Sequence, residues 1–316
     1  MKKLLAAAVT ALSLVTLSGC STTHTAADMY SNLKSECGEF TGGKGVDTVK
    51  VTQKADSKIP DVSFATGIDS TKIETKVITE GKGPKITGNQ FIRFEFLQAE
   101  GATGKVSGST QFDGTDTQSQ FLDAETNLCK ALAGITEGSR IALLVPSDIM
   151  SGDATTKSSG VLIFDIKQVF LPRAVGDSKS AQNGMPTIIR ATNGLPTIQF
   201  AKGEAPTELT VVPLIEGWGE PVAANRGQKV TVHYSGWIWE NQNKFDSSWD
   251  SGRPAEFSLE DGALIEGFVK GLDGQKVGSQ VLVVIPPALG YGDQDQEKIP
   301  ANSTLIFVVD ILGVTK

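Results

Sequence analysis

Thiols and imidazoles, the most versatile reactive groups, are scarce in this chain. Its 316 residues include three cysteines, Cys20, Cys37 and Cys129, and two histidines, His24 and His233. No two cysteines stand at the close spacing of a structural zinc site, so neither zinc nor haem is expected. If Cys20 is used elsewhere, Cys37 and Cys129 remain as an even pair, either bridged or as two separate thiols. The run Asp293-Gln294-Asp295-Gln296-Glu297-Lys298 offers carboxylates for calcium. An EF-hand loop needs glycine at its sixth place and glutamate at its twelfth, and here these are Lys298 and Thr304. No metal and no cofactor is expected. His233 alternates with Tyr234 along a strand-like run and is expected at the surface, not as a proton carrier.

Cys20 has a different context. Lys2-Lys3 precede an apolar run from Leu4 to Leu17, and Leu17-Ser18-Gly19-Cys20 closes it. That order reads as an export signal over residues 1–19. Its end resembles the lipobox of bacterial lipoproteins. The resemblance implies that the Cys20 sulfur receives diacylglycerol, that cleavage falls before it, and that the new amino end is acylated. Two or more acyl chains, at about 0.8 kcal/mol per buried CH₂, exceed the marginal anchoring of one. The expectation is an extracytoplasmic protein tied to a cell membrane through Cys20.

Composition excludes other classes. The net charge is -7, and losing Lys2 and Lys3 makes the remainder more acidic. That argues against a nucleic-acid partner and against an electrostatic grip on anionic lipid. Beyond the signal, roughly 270 folded residues suggest two domains.

The elements that must position any site come in two copies. Pro60-Asp61-Val62-Ser63-Phe64 returns as Pro196-Thr197-Ile198-Gln199-Phe200, and Phe112-Asp113 as Phe245-Asp246. Leu132-Ala133-Gly134 returns as Leu272-Asp273-Gly274, and Leu162 to Ile166 as Phe307 to Ile311. The reading is a tether over residues 20–45, one domain over 46–172, a linker over 173–185 and a second domain over 186–316. Val230, Val232 and Tyr234 alternate with Thr231, His233 and Ser235, the period of a strand with one buried face. Val281–Ile285 and Leu305–Leu312 are β-rich and apolar. Ile265, Phe268, Val269 and Leu272 fall at helical spacing. The economical fold class is α+β, an antiparallel sheet crossed by one short helix.

Five motifs in order now carry a stronger resemblance. They are Val232-His233-Tyr234-Ser235-Gly236, Phe245-Asp246-Ser247-Ser248, Ile265-Glu266-Gly267-Phe268, Gly290-Tyr291-Gly292 and Ile299-Pro300-Ala301 through Phe307. Over about residues 222–314 the chain resembles the FK506-binding-protein (FKBP) family. That implies two FKBP-like domains, each a half-open antiparallel sheet wrapped on one short helix. It also implies cis/trans isomerisation of the peptide bond before proline. Phe268 then floors the pocket, where the family usually has Trp, and Tyr234, Phe245 and Phe307 are its walls. Ile265 offers a backbone N–H to a substrate carbonyl, with Leu264 beside it. Tyr291 offers a phenolic donor, and Asp246 orients polar groups at the rim. A wall position that is often aromatic falls on Ala255, which implies a less enclosed pocket.

The first copy keeps the layout but has lost these groups. Leu128 matches the floor, Leu162 matches Phe307, Glu125 falls near the Ile265 position and Ser151 near the Tyr291 position. Its register around Phe94, Glu95 and Phe96 stays open by one residue, and a slip of one would swap the faces. The expected function is an exported, lipid-anchored prolyl isomerase acting on proline-containing unfolded or secreted proteins through its C-terminal domain. A non-catalytic holdase or scaffold with a vestigial pocket is the alternative.

Overall fold

The computed structural model describes residues 28–31, 33–38, 42–151 and 159–315. Cys20 and His24 lie outside the described residues. After a helical turn α1 (Asp28–Ser31), the first copy opens with a hairpin, β1 (Lys50–Thr52) and β2 (Asp61–Ser63). It continues through β3 (Glu74–Thr79), β4 (Gln90–Glu100), β5 (Val106–Ser109) and β6 (Gln118–Leu122). Helix α2 (Asn127–Leu132), β7 (Arg140–Val145), α3 (Ser147–Ser151) and β8 (Gly160–Val169) complete it. The second copy has β9 (Asp177–Ser178), the hairpin β10 (Thr187–Arg190) and β11 (Pro196–Gln199), and β12 (Thr210–Glu216). Then come β13 (Lys229–Ile238), β14 (Lys244–Ser247), β15 (Ala255–Ser258), α4 (Glu266–Leu272), β16 (Gln280–Ile285) and β17 (Leu305–Thr315).

Each copy is one antiparallel sheet with a short helix across one face, as its periodicities require. The first sheet runs β3-β7-β8-β4, with β5 and β6 both paired to the far edge of β4. The second runs β9-β12-β16-β17-β13, with β14 and β15 both paired to β13. Matching turns close both helices. Gly134 and Gly274 share a left-handed φ of 76°, and their N–H groups donate to Ile86 O and Val222 O, both at 2.9 Å. Two further glycines let α4 lie close on the sheet. A Cβ on Gly267 would stand 2.3 Å from Ile285 Cγ2, and one on Gly271 2.6 Å from Val283 Cγ1. Without side chains at those positions, the first turn of α4 reaches the sheet.

A third layer covers the opposite face of each sheet. Val51, Val62 and Phe64 pack with Leu97, Leu144 and Ile163 in the first copy. Ile188, Ile198 and Phe200 pack with Leu282, Ile306 and Val308 in the second. The repeated segments at residues 60 and 196 are these hairpins. Their cover explains why β16 and β17 are buried on both faces and read as continuous apolar runs.

Two segments expected to be loose are packed. In the stretch assigned to the tether, Met29 is 1% exposed in the second copy's core. The Tyr30 hydroxyl donates to Val169 O at 3.2 Å, and Cys37 is bonded to Cys129. So Met29, Tyr30 and Leu33 staple the seam between the copies, because they are apolar enough to be drawn into it. In the stretch assigned to the linker, Ala174 N–H donates to the buried Asp310 at 2.8 Å and Val175 N–H to Gly278 O at 2.9 Å. Burial pushes the Asp310 carboxyl up to about 6. The copies also touch directly. The Phe170 ring lies against Gly313, and Leu171 N–H donates to Leu312 O at 3.0 Å.

Candidate active site

On the helix side of the second sheet, α4, β13, β14, β15 and β17 enclose a cavity of about 430 Å³. Phe268, on the first turn of α4 and 4% exposed, forms its floor. The Phe307 ring from β17 meets Phe268 edge to face, with centroids 5.1 Å apart at 77°. Phe245 from β14 meets Phe307 at 5.4 Å and 83°. Gly236 makes room for it, since a Cβ there would stand 2.5 Å from Phe245 Cζ. Tyr234 and Phe257 close the remaining side at 5.6 Å. Such tilted and edge-to-face contacts are the geometry that ring quadrupoles favour, and they make the lining stiff as well as apolar.

Polar groups sit at the rim. The Tyr234 hydroxyl donates to Asp246 Oδ2. Burial, then this hydrogen bond, raise the Tyr234 pKa, so the phenol stays a neutral donor. Leu264 and Ile265 precede α4, and Ile265 is its N-cap in extended conformation. The Ile265 carbonyl accepts the first helical bonds, while its N–H has no acceptor among the described residues. Tyr291 follows the 3₁₀ turn Pro287–Leu289 and is 38% exposed over the mouth. The site thus offers an aromatic box with a few fixed donors and no nucleophile.

This arrangement suits rotation about an amide. A prolyl bond loses resonance as it twists, over a barrier of ~18–20 kcal/mol. The twisted form separates less charge than the planar one, so a dry aromatic cavity stabilises it relative to water. No covalent bond is made or broken, and the donors need only hold the flanking carbonyls.

Tyr234, Phe245, Asp246, Leu264, Ile265, Phe268, Tyr291 and Phe307 all line this one cavity. Ala255 does not. It pairs with Val232 and faces an adjoining groove, while Phe257, paired with Val230, supplies the aromatic wall. Ala255 and Phe257 are two apart on one strand, so they share a face. A two-residue slip therefore kept the right side and missed the right residue.

His233 is the second correction. It is 2% exposed, not at the surface. Its ring stacks on Trp249 at 3.8 Å and 17°, and Nδ1 bonds Ser248 Oγ at 2.9 Å. Burial pushes its pKa down to about 4, so it is neutral at pH 7. The same Ser248 hydroxyl accepts the Tyr234 N–H at 2.9 Å. His233 thus braces the strand that carries Tyr234.

Among the described residues, the first copy lacks this set of groups. A bulge at Arg93/Phe94 matches the one at Thr231/Val232 and fixes the register, so Phe96 stands where Tyr234 does. Gln120 stands in the place of Phe257. Phe94 stacks on Phe164 at 4.4 Å in the core of this copy. Phe112 is buried in the outer core with Val46 and Leu97, so its sequence match to Phe245 is not a match in role.

The family model for FKBP-type peptidyl-prolyl cis-trans isomerase matches residues 220–312. An FK506-binding protein of Streptomyces anulatus is 41% identical over 119 residues, 37% of this chain and 94% of the relative. FK506-binding protein 2 of Dictyostelium discoideum is 45% identical over 94 residues, 29% of this chain and 70% of the relative. A Haemophilus influenzae protein described as "Probable FKBP-type peptidyl-prolyl cis-trans isomerase" is 30% identical over 224 residues, 70% of this chain and 86% of the relative.

Proposed function

This chain belongs to the FKBP-type peptidyl-prolyl cis-trans isomerase family, and from that premise we propose that it is an exported, lipid-anchored isomerase. Its C-terminal copy catalyses, and its clients are proline-containing unfolded or secreted proteins. The observation that carries the catalytic part is the aromatic box around Phe268, with Tyr291 and the Ile265 N–H at its mouth. The prolyl ring lies on Phe268 between Phe307, Phe257 and Tyr234. The Ile265 N–H and the Tyr291 hydroxyl each take a carbonyl of the bound chain. A scaffold with a vestigial pocket has no reason to keep those donors around the cavity. The first copy, which lacks these groups, folds without catalysing.

Tyr291→Phe tests the chemistry. The full chain should speed isomerisation of a short X–Pro peptide, and the variant should lose about two- to thirteenfold in kcat/KM. That is one net hydrogen bond of about 0.5–1.5 kcal/mol. A folded protein with no rate above background would leave the scaffold alternative standing.

Export and anchoring rest on the signal pattern ending at Cys20 and on the Cys37–Cys129 bond, which suits an oxidising compartment. Cells making the chain and fed radiolabelled palmitate should label it and hold it in the membrane fraction. Cys20→Ser should abolish both. Retention of label by that variant would refute the anchor.

A further inference from the structure

Tyr234 and Asp246 stand between two openings. The catalytic cavity lies on one side of them. On the other, a groove of about 600 Å³ runs past Ser251, Arg253 and Pro254. This groove reaches the first copy. The Arg253 guanidinium carbon lies 5.0 Å from the centre of the Phe121 ring, a cation–π distance. Phe121 is itself held on β6, paired across the sheet with Phe91, and the two rings meet at 5.4 Å and 63°.

The charges around the groove are committed, with one exception. Asp250 is bonded by Lys244 at 2.7 Å, and Asp246 accepts the Tyr234 hydroxyl. The Arg253 guanidinium forms no ion pair among the described residues and lies against the Phe121 ring. A guanidinium against an aromatic face keeps its N–H fork available for a carboxylate, and little of its side-chain freedom is left to lose on binding.

We infer that the client chain flanking the proline runs through this groove, and that Arg253, positioned by Phe121 of the first copy, pairs with an acidic side chain there. The first copy thereby sets substrate preference in the site next door. This rests on the isomerase reading above. The groove shares Tyr234 and Asp246 with the catalytic cavity, so a peptide that leaves the cavity over this common rim enters the groove.

The test uses the full chain and ten-residue peptides with one X–Pro bond. Each carries Glu, Gln or Lys two, three or four places from the proline, on either side. The neutral peptide Ala-Leu-Pro-Phe, too short to fill the groove, is the reference. Glu at one or more positions should raise kcat/KM about two- to fivefold over Gln, the range of a surface charge pair, and Lys should lower it. The preference should fade in 0.5 M salt and vanish in Arg253→Gln. It should shrink in Phe121→Leu and partly return in Arg253→Lys. Ala-Leu-Pro-Phe should be turned over equally by all of them. Equal rates for the Glu and Gln peptides at every position would overturn the inference, and so would a Glu preference that survives Arg253→Gln. If the unmodified chain fails even on Ala-Leu-Pro-Phe, the isomerase reading itself falls.

Discussion

Phe268→Ala should remove most of the isomerase activity and about 3 kcal/mol of stability. Phe268 is 4% exposed and meets Phe307 and Phe257 edge to face at 5.1 and 5.8 Å. A buried Phe→Ala change costs ~3–5 kcal/mol, from lost transfer energy plus the cavity left behind. Here the cavity opens into the catalytic pocket and fills with water, so the low end applies. That water also does the chemical damage. It solvates the planar, more charge-separated amide and removes the advantage that an apolar floor gives to the twisted one. A fall in kcat/KM of tenfold or more is expected, about 1.4 kcal/mol in the barrier. Phe268→Leu, which restores the residue type found at Leu128, should recover most of the stability and only part of the rate. The measurements are urea midpoints and kcat/KM on a short X–Pro peptide. A folded Phe268→Ala protein with more than half the original activity would show that the prolyl ring does not rest on this residue.

Removing the Cys37–Cys129 bridge should act on the other half of the molecule. The bond joins residues 92 apart, and Gly88 packs against both sulfurs. Losing a native bridge of this kind costs about 2–5 kcal/mol, chiefly through the freedom regained by the unfolded chain. Here the native state is loosened as well. Cys37 anchors the segment whose Met29 is buried in the second core and whose Tyr30 bonds Val169 O. The double variant Cys37→Ser/Cys129→Ser should therefore unfold at clearly lower denaturant. At 25 °C its kcat/KM on a short peptide should stay close to the original, because every residue lining the catalytic cavity belongs to the second copy. An unchanged midpoint would mean that packing at the seam alone holds the segment.

The chain's local patterns determined much of this protein by themselves. A period of two along Val230 to Ser235 sets which side chains face the helix, since a strand turns successive side chains to opposite faces. The helical spacing of Ile265, Phe268 and Leu272 sets which face of α4 meets the sheet. From those faces and the order of five motifs, eight of the cavity's lining residues were legible. So was the replacement of two of these aromatic rings by Leu128 and Leu162 in the first copy.

Only the tertiary structure decided what covers each face. His233 lies on the side turned away from the cavity, as its alternation says. It is buried because Trp249, sixteen residues on, closes over it. Residues 28–38 look like a spacer until the seam between two sheets offers Met29 a core. Phe257 and Ala255 share a face, and only the pairing of β15 with β13 shows which of them reaches the cavity. The contact of Arg253 with Phe121 joins residues 132 apart and follows no local period. Periodicity is a property of neighbours in the chain, whereas burial depends on which distant surface arrives, and that is settled only when the two copies pack.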